Sequence, residues 1–482
     1  MTARYAVALA AGAASVLGFS PFDLFVVALA AFAILVHLWQ RAGGSAFLVG
    51  FCFGLGQFLA GVSWVYVSMH RFGAMPAPVA AVATLGFCAF LALFPALAGW
   101  LQAKLPPPGL RALAIAPLWV LLEWLRGWIL TGFPWLSIGV AAIDSPLAGF
   151  APVGGAYLVS LAAVASAVLL WMVATGRGRL PAAAAFALLG LAGALLGELR
   201  WTEPAKRPLS AALLQGNIEQ SMKFDPARYA RTLESYARLA EASRARLIVL
   251  PETAVPRFLD MVEREWLARL DAVARRNNGD LLLGVPMRTA PQRYTNSVLV
   301  LGASAPRVYD KVHLVPFGEF VPPGFGWITR LLQIPLSDFS RGLPDQQPLE
   351  AAGERVAVNI CYEDAYGAEI ARMLPAATLL VNVSNVAWFG DSLAPAQHLQ
   401  IARMRALETG RMHLTATNTG ITAAIAADGR VLAQLPQFSE GRLEVEVRGY
   451  SGATPYARIR DWGVLALCAL WLAVVALAGR SR

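Results

Sequence analysis

Two hydrophobic patterns divide the chain. Before residue 198 and again near its end, apolar residues continue for about 17–25 positions, the length that a helix needs to cross a bilayer. These segments are 4–20, 23–40, 45–69, 76–103, 110–131, 154–175, 180–197 and 462–479. The pattern predicts a polytopic α-helical membrane protein with about eight transmembrane helices, seven of them before residue 198.

Residues 198–461 show the second pattern, in which short apolar runs alternate with stretches of helical period. Strands are predicted at 209–218, 245–252, 280–287, 294–301, 355–362, 377–384, 412–419 and 421–428. Helices are predicted at 226–243, 259–276, 364–373 and 393–410. This alternation is typical of an α/β domain. We therefore predict a transmembrane domain at 1–197, an α/β domain at 198–461, and a transmembrane helix with its tail at 462–482.

Composition agrees with a membrane protein, because 57% of the residues are hydrophobic and 15% are charged. The formal net charge of +9 also requires that a nucleic-acid partner be considered. However, residues 198–461 hold 30 basic and 28 acidic residues, so the basic excess belongs mostly to the apolar parts of the chain. A basic excess around membrane spans orients them, and no nucleic-acid partner is predicted.

The cations between the spans predict an orientation. If the N-terminus is cytoplasmic, the inner segments carry eight basic residues, namely Arg4, Arg41, Lys104, Arg111, Arg177, Arg179, Arg480 and Arg482. The short outer loops then carry Arg71 with Asp23 and Asp144. The positive-inside rule therefore predicts that both termini are cytoplasmic and that residues 198–461 lie on the outer face.

Cys361 is the single cysteine of residues 198–461, while Cys52, Cys88 and Cys468 lie within apolar spans. An unpaired cysteine outside the cytoplasm forms no intrachain disulfide and is open to oxidation. Cys361 ends an apolar run and precedes a predicted helix, so it stands at a strand-to-helix turn. At such a turn, backbone amides and the helix dipole stabilise a thiolate, which predicts a nucleophile. A buried structural thiol is the alternative.

Glu252 and Lys311 are the predicted partners of Cys361. Glu252 ends a strand in "LIVLPETAVP", where burial is expected to raise its pKa toward that of a useful base. Lys311 follows another strand in "YDKVHLVPFGEFVP", where a fixed positive charge would suit an oxyanion. The alternatives are a helix-capping or surface acid and a plain surface lysine. His313, His398 and His413 have no dyad or metal spacing, and we predict ordinary solvated or hydrogen-bonded roles for them.

The order Glu252, Lys311 and Cys361, in the contexts "PET", "DKVHLVPFGE" and "NICYED", resembles the Glu–Lys–Cys set of the nitrilase superfamily. With seven spans before the domain and one after it, the chain resembles the bacterial apolipoprotein N-acyltransferase family. The stretches "LLQGNIEQ", "VNVSNVAWFGDS", "QHLQIARMRALETGR" and "TNTGITA" fit the same resemblance, which covers essentially the whole chain. It implies an αββα sandwich for residues 198–461.

The resemblance also implies a two-step reaction without a cofactor or metal. Glu252 would take the proton of Cys361, whose thiolate would attack a phospholipid ester, expected to be the sn-1 ester of phosphatidylethanolamine. Lys311 and backbone amides would hold the oxyanion. The α-amine of a diacylglyceryl-cysteine at the N-terminus of an apolipoprotein would then attack the Cys361 thioester. The implied location is the bacterial inner membrane with a periplasmic catalytic domain.

The resemblance assigns supporting roles to Glu319, Tyr362 and Glu363. Phe224 in "SMKFDP" stands where relatives often carry tryptophan, so a role that needs an indole N–H is in doubt. Two apolar loops are candidates for lipid contact. One is 320–339, which contains Trp327, and the other contains Trp388 and Phe389, predicted to be exposed. Packing of these aromatic side chains onto the core of the domain is the alternative.

Glu123 and Arg126 form a predicted intramembrane charge pair on one helical face in "LLEWLRGW". The pair is either structural or part of a polar route for a lipid headgroup. Two other functions remain for the chain as a whole. One is a membrane-tethered amidase with water as the acceptor, which would not need eight spans and apolar loops. The other is a transporter or scaffold in which Cys361 is dispensable.

Overall fold

A computed structural model describes residues 2–105, 108–223, 225–321 and 338–480 of the protein. The chain separates into two compact units. The helical unit consists of Met1–Tyr66, Pro76–Arg200 and Ile459–Arg482. The α/β unit consists of Val67–Met75 and Trp201–Arg458. The predicted lipid-contact residues Phe224 and Trp327 lie outside the described residues.

The helical unit is built from long apolar helices at the positions where the sequence predicts spans. They are Thr2–Ser15, Phe25–Ala42, Ala46–Val62, Ala77–Lys104, Pro108–Arg126, Ala151–Ala174, Arg179–Gly197 and Trp462–Arg480. Short helical turns connect them at Val16–Gly18, Gly43–Ser45, Ile129–Thr131, Ile138–Ala141 and Pro146–Phe150.

Among the described residues, five segments are long and apolar enough to cross a membrane. The prediction of a helical membrane protein is therefore confirmed, and the number of eight spans stays a prediction. Two of these helices, Arg179–Gly197 and Trp462–Arg480, expose large apolar side chains, including Leu180 (82%) and Leu470 (63%). Acyl chains of a bilayer would cover these side chains.

The predicted span 110–131 is too long, because its helix ends at Arg126. The Arg126 guanidinium donates to the carbonyl oxygens of Phe133 (2.7 Å) and Trp135 (2.5 Å), which draws the following loop back onto the helix end. Glu123 accepts from the backbone N–H of Ile138 at 3.1 Å. Both side chains are buried, 4.0 Å apart, and these bonds favour a structural role for the pair.

Two six-stranded sheets form the α/β unit. The strands are β1 Thr202–Pro204, β2 Leu209–Gln215, β3 Leu247–Val249, β4 Asp280–Ala290, β5 Arg293–Gly302, β6 Val308–Asp310, β7 Leu349–Ala351, β8 Glu354–Ile360, β9 Leu379–Ser384, β10 His413–Thr417, β11 Ala423–Ile425, β12 Val431–Gln434, β13 Gly441–Val447 and β14 Tyr450–Gly452. One sheet has the order β13-β2-β3-β4-β5-β6 and the other β12-β11-β10-β9-β8-β7, while β1 pairs with β14. Each sheet has three parallel strands at its centre, β2-β3-β4 and β8-β9-β10.

Side chains on the central strands point alternately to the two faces of each sheet, and both faces are buried. In β3, Leu247 and Val249 join a core shared by the two sheets, whereas Ile248 packs against the helices Pro226–Glu241 and Arg264–Arg276. On the second sheet, the helix Ala394–Thr409 packs against β11. The layers run helix, sheet, sheet, helix, which confirms the predicted αββα sandwich.

Most differences from the predicted elements of this unit lie at strand edges and short turns. The predicted helix 364–373 is three short turns, Cys361–Ala365, Gly367–Ile370 and Ala371–Met373, because Tyr366 has non-helical dihedral angles. Other short turns are Gln220–Met222, Leu259–Met261, Val386–Phe389 and Pro455–Ile459. The six strands β1, β6, β7, β12, β13 and β14 were not predicted, since their short or half-exposed patterns give a weak signal.

Candidate active site

The three predicted catalytic residues follow three different strands. Glu252 lies just beyond β3, Lys311 directly follows β6, and Cys361 directly follows β8. Carboxyl ends of strands in α/β folds are the usual place for functional side chains. Here the structure brings Glu252 and Lys311 into contact, with 3.3 Å between Oε1 and Nζ.

A buried polar cluster surrounds the Lys311 ammonium group. Lys311 Nζ lies 2.8 Å from Glu319 Oε2, so it contacts two carboxylates at once. Asn296 Nδ2 donates to Glu252 Oε1 (2.6 Å) and to Glu319 Oε1 (2.9 Å), which joins the same two carboxylates from another side. All four side chains are buried. The arrangement fixes two negative charges and one positive charge in a region shielded from water.

The Glu252 carboxylate is ionised, contrary to the expectation that burial raises its pKa. Burial alone does raise that pKa, but the ammonium groups of Lys311 and Lys223 and hydrogen bonds from Asn296 and the Asn385 amide outweigh burial. The pKa of Glu252 is therefore held below its usual value. The Asn385 backbone N–H donates to Glu252 Oε2 at 2.8 Å, which orients the second oxygen. Glu252 is thus available as a proton acceptor.

Lys311 is a permanent cation in this cluster. Burial would lower the pKa of its ammonium group, but the carboxylates of Glu252 and Glu319 raise that pKa above its usual value. Lys311 therefore does not serve as a base at neutral pH, and its charge remains available for a developing oxyanion.

Cys361 occupies a left-handed backbone conformation, with φ of 53°, at the turn between β8 and the following helical turn. Such a conformation is unfavourable for a residue with a side chain and often marks a functional position. The thiol is half-buried. The short turn after β8 holds Cys361 in place at the carboxyl edge of the sheet.

The Cys361 thiol is protonated at rest, although the turn was expected to stabilise a thiolate. Burial raises the pKa of Cys361, and among charged groups Glu252 raises it most. Lys311 and the Asn385 amide act in the opposite direction without reversing the shift. The thiol therefore needs a base to act as a nucleophile, and Glu252 is the carboxylate with the largest electrostatic effect on it.

Glu363 holds the segment after Lys311 against β8. Its carboxylate accepts backbone N–H bonds from Val312 (2.6 Å), His313 (3.0 Å) and Ile360 (2.7 Å). Burial raises the pKa of Glu363 to about 7, although these amides and the charge of Lys311 act in the opposite direction. These bonds support the prediction that Glu363 shapes the site. The neighbouring Tyr362 is half-buried, and its ring centre lies 5.2 Å from that of Tyr366.

His313, His398 and His413 lie close to polar partners, and burial lowers the pKa of His398 and His413, so these two are neutral. His313 Nδ1 lies 3.1 Å from Glu369 Oε1, and its ring stacks on Tyr366. His398 and His413 are buried, each with Nε2 3.6 Å from the Asp364 carboxylate. This agrees with the prediction of ordinary roles for the three histidines.

Lys223 is a member of the site that the sequence analysis missed. It is buried, and its Nζ donates to the backbone carbonyl oxygen of Glu252 at 3.3 Å. Burial lowers the pKa of Lys223 to about 8, although the charges of Glu252 and Cys361 act in the opposite direction. Its neighbour in the sequence, Phe224, is one of the predicted contact residues. A lysine between the apolar residues of "SMKF" was the available signal.

Trp388 and Phe389 are half-buried on the turn Val386–Phe389, so the prediction that they are exposed is wrong. The Trp388 ring meets the ring of Phe72 edge to face, with 6.2 Å between the ring centres. Phe72 belongs to the segment Val67–Met75, which is part of the same compact unit. Both aromatic side chains therefore keep part of their surface open, and Phe72 covers part of the Trp388 ring.

Comparison with known proteins gives matches along nearly the whole chain. Residues 11–169 match the apolipoprotein N-acyltransferase N-terminal domain, and residues 210–456 match the carbon-nitrogen hydrolase family. The apolipoprotein N-acyltransferase of Nitrosomonas europaea is 48% identical over 99% of this chain and 98% of its own. That of Bordetella bronchiseptica is 45% identical over 98% of this chain and 97% of its own.

The α/β part of the chain is also similar to solved structures. A carbon-nitrogen hydrolase from Helicobacter pylori G27 is 20% identical, with a TM-score of 0.40, over 54% of this chain and 95% of its own.

Proposed function

The chain belongs to the apolipoprotein N-acyltransferase family, and we propose that Cys361 carries the acyl group as a thioester between a membrane phospholipid and a lipoprotein. The chain is thus an acyltransferase of the carbon-nitrogen hydrolase superfamily, and its substrates are lipids and lipoproteins. The buried cluster of Glu252, Lys311 and Glu319 beside the strained turn at Cys361 is the observation that supports these residue roles.

In the first step, the Cys361 thiol attacks the carbonyl carbon of a phospholipid ester. Glu252 takes the thiol proton as the S–C bond forms, and the carbonyl oxygen becomes an oxyanion. The ester C–O bond then breaks, and the proton returns from Glu252 to the departing oxygen of the lysophospholipid. Glu252 ends this step ionised again, as its lowered pKa requires.

Lys311 supplies the positive charge for the oxyanion. Its ammonium group is fixed by Glu252 and Glu319, so it does not need to reorganise when negative charge develops. Backbone amides at the carboxyl ends of the strands complete the oxyanion site. Lys311 and Lys223 together balance the two carboxylates before the reaction begins.

In the second step, the α-amine of a diacylglyceryl-cysteine at the N-terminus of an apolipoprotein attacks the thioester. The C–N bond forms, the C–S bond breaks, and Glu252 transfers the amine proton to the Cys361 sulfur. A thioester is more reactive toward an amine than the oxygen ester of the phospholipid is, which accounts for a cysteine at this position. The products are a triacylated lipoprotein and the free enzyme.

The donor and the location complete the proposal. The donor is the sn-1 acyl chain of phosphatidylethanolamine, and the enzyme spans the bacterial inner membrane with both termini in the cytoplasm. The positive-inside distribution supports a catalytic domain on the periplasmic side. The domains run 1–197, 198–461 and 462–482. The half-buried Trp388 and Phe389 are the candidates for contact with an acyl chain.

A donor and acceptor assay tests this function. The full-length protein in phospholipid vesicles receives phosphatidylethanolamine labelled in its sn-1 chain and a diacylglyceryl-cysteine lipopeptide with a free or an acetylated amine. We expect label on the free-amine lipopeptide and none on the acetylated one. Release of labelled fatty acid at the same rate without any lipopeptide would instead indicate a hydrolase with water as the acceptor.

Lys223 is expected to give the acylation rate a pH dependence. Below pH 8 its ammonium charge favours the oxyanion, and above pH 8 the cluster carries one net negative charge, so the rate of acyl-enzyme formation should fall. Lys223→Met should lower that rate by about tenfold at pH 7 and remove the change near pH 8. Lys223→Arg is the matched control, because it keeps the charge across this range. If the rate of acyl-enzyme formation in Lys223→Met still fell near pH 8, the assignment of this pH dependence to Lys223 would be wrong.

A further inference from the structure

The helical unit contains a cavity of about 670 Å³ that the reaction above does not use. Its walls come from the ends of four helices, which are Phe25–Ala42, Ala77–Lys104, Pro108–Arg126 and Ala151–Ala174, and from the turn before Arg179–Gly197. The volume lies in the range of sites that bind small molecules or the polar part of a lipid.

Three arginines from three segments line the cavity, namely Arg41, Arg111 and Arg177. None of its described lining residues is acidic, and none of these arginines forms an ion pair with a described residue. Arg111 Nε donates to the Leu105 carbonyl oxygen at 2.9 Å, and the Arg177 guanidinium lies 5.0 Å from the centre of the Trp171 ring. Guanidinium groups that line one cavity without counter-charges favour an anion, and phosphate in particular.

We propose that this cavity binds the headgroup of an anionic phospholipid of the phosphatidylglycerol class. The guanidinium groups of Arg41, Arg111 and Arg177 bind the phosphate. Basic pockets between transmembrane helices are known places for anionic headgroups. The lipid is a bound component rather than the acyl donor, since the three arginines belong to segments predicted to be cytoplasmic and Cys361 belongs to the domain proposed to be periplasmic.

The surroundings of the cavity favour a lipid over a soluble phosphate compound. Leu113 lines the cavity and is 37% exposed, which gives the acyl chains of a bound lipid an apolar contact at the wall. Trp100 is 46% exposed, and the ammonium of Lys104 lies 5.7 Å from its ring centre. A tryptophan and a lysine one turn apart at a helix end are typical of the membrane interface.

Native mass spectrometry of the full-length protein in detergent micelles tests the site. Phosphatidylglycerol and phosphatidylcholine with the same acyl chains are added at equal concentration. We expect wild type to retain phosphatidylglycerol preferentially, and the double variant Arg41→Gln with Arg177→Gln to bind it about 30-fold more weakly. Arg111→Gln removes the guanidinium that comes from a third segment, so it should lower the affinity by about threefold or more, even if the double variant fails to fold.

Arg179→Gln is the matched control, because Arg179 is an exposed arginine just beyond the lining residues of the same turn. It should change binding by less than about twofold. Equal retention of the two lipids by wild type, or an unchanged preference in the double variant and in Arg111→Gln, would overturn the proposal. Displacement of phosphatidylglycerol by millimolar glycerol phosphate would overturn the lipid assignment in favour of a soluble phosphate ester.

Discussion

Glu252→Gln is expected to lower the rate of acyl-enzyme formation by about 10²–10⁴-fold while the protein stays folded. Glutamine keeps an oxygen for the Asn385 amide, 2.8 Å from Oε2 in the wild type, but it accepts no proton from Cys361. The Cys361 thiol is protonated at rest, so loss of the base removes the route to the thiolate. Rapid quenching after addition of phospholipid, followed by intact-mass measurement, gives the rate.

Glu319→Gln is the matched control for this substitution. Glu319 touches the same lysine and the same asparagine as Glu252, and both variants remove one carboxylate charge from the cluster. We expect the loss of rate in Glu319→Gln to be at least roughly tenfold smaller than in Glu252→Gln, because Glu252 has the larger electrostatic effect on Cys361. The reverse order of the two variants would identify Glu319 as the base.

Lys311→Met is expected to impair both catalysis and stability. The variant leaves the buried carboxylates of Glu252 and Glu319 without the cation that lies between them, at a cost of about 3–5 kcal/mol in the free energy of unfolding. Loss of the oxyanion partner should lower the rate of acyl-enzyme formation by about 10²–10³-fold. Thermal unfolding and the quenched-reaction assay measure the two effects separately.

The pH dependence of the unfolding free energy distinguishes loss of the Lys311 charge from loss of the packing of its side chain. In wild type, the lowered pKa of Glu252 gives stability that is present above its unfolded pKa and is lost as the pH falls. In Lys311→Met, two adjacent carboxylates raise the pKa of one of them, so the variant loses stability as the pH rises. The difference in unfolding free energy should therefore grow from pH 5 to pH 7. Lys206→Met, at an exposed lysine, should show no such trend.

Hydrophobic periodicity was enough to predict the architecture, because the long helices and the central strands depend on patterns that repeat locally. Strands β2, β4, β8 and β9 lie close to their predicted positions. The end of the helix at Arg126 was not predictable in this way, since it depends on hydrogen bonds to carbonyl groups seven and nine residues later. The break in the predicted helix 364–373 likewise follows the dihedral angles of Tyr366.

The site was predictable where a residue stands at the end of a strand within a distinctive short sequence, as Glu252, Lys311 and Cys361 do. Its electrostatics were not predictable, because the pKa of Glu252 depends on Lys223 and Asn296, which are distant in the sequence. The predicted exposure of Trp388 was wrong, since Phe72, which ends the helical turn Ser68–Phe72 more than 300 residues earlier, covers part of its ring. Burial and long-range contacts of this kind require the folded structure.

The central claim is that Cys361 carries the acyl group, and intact-mass measurement of the purified full-length protein with phospholipid tests it most directly. We expect wild type to gain the mass of one acyl chain, and a lipopeptide acceptor with a free amine to remove that mass. Cys361→Ala should gain nothing under the same conditions. Acylation of the lipopeptide by Cys361→Ala, or an acyl adduct on wild type that persists when the acceptor is added, would contradict the account.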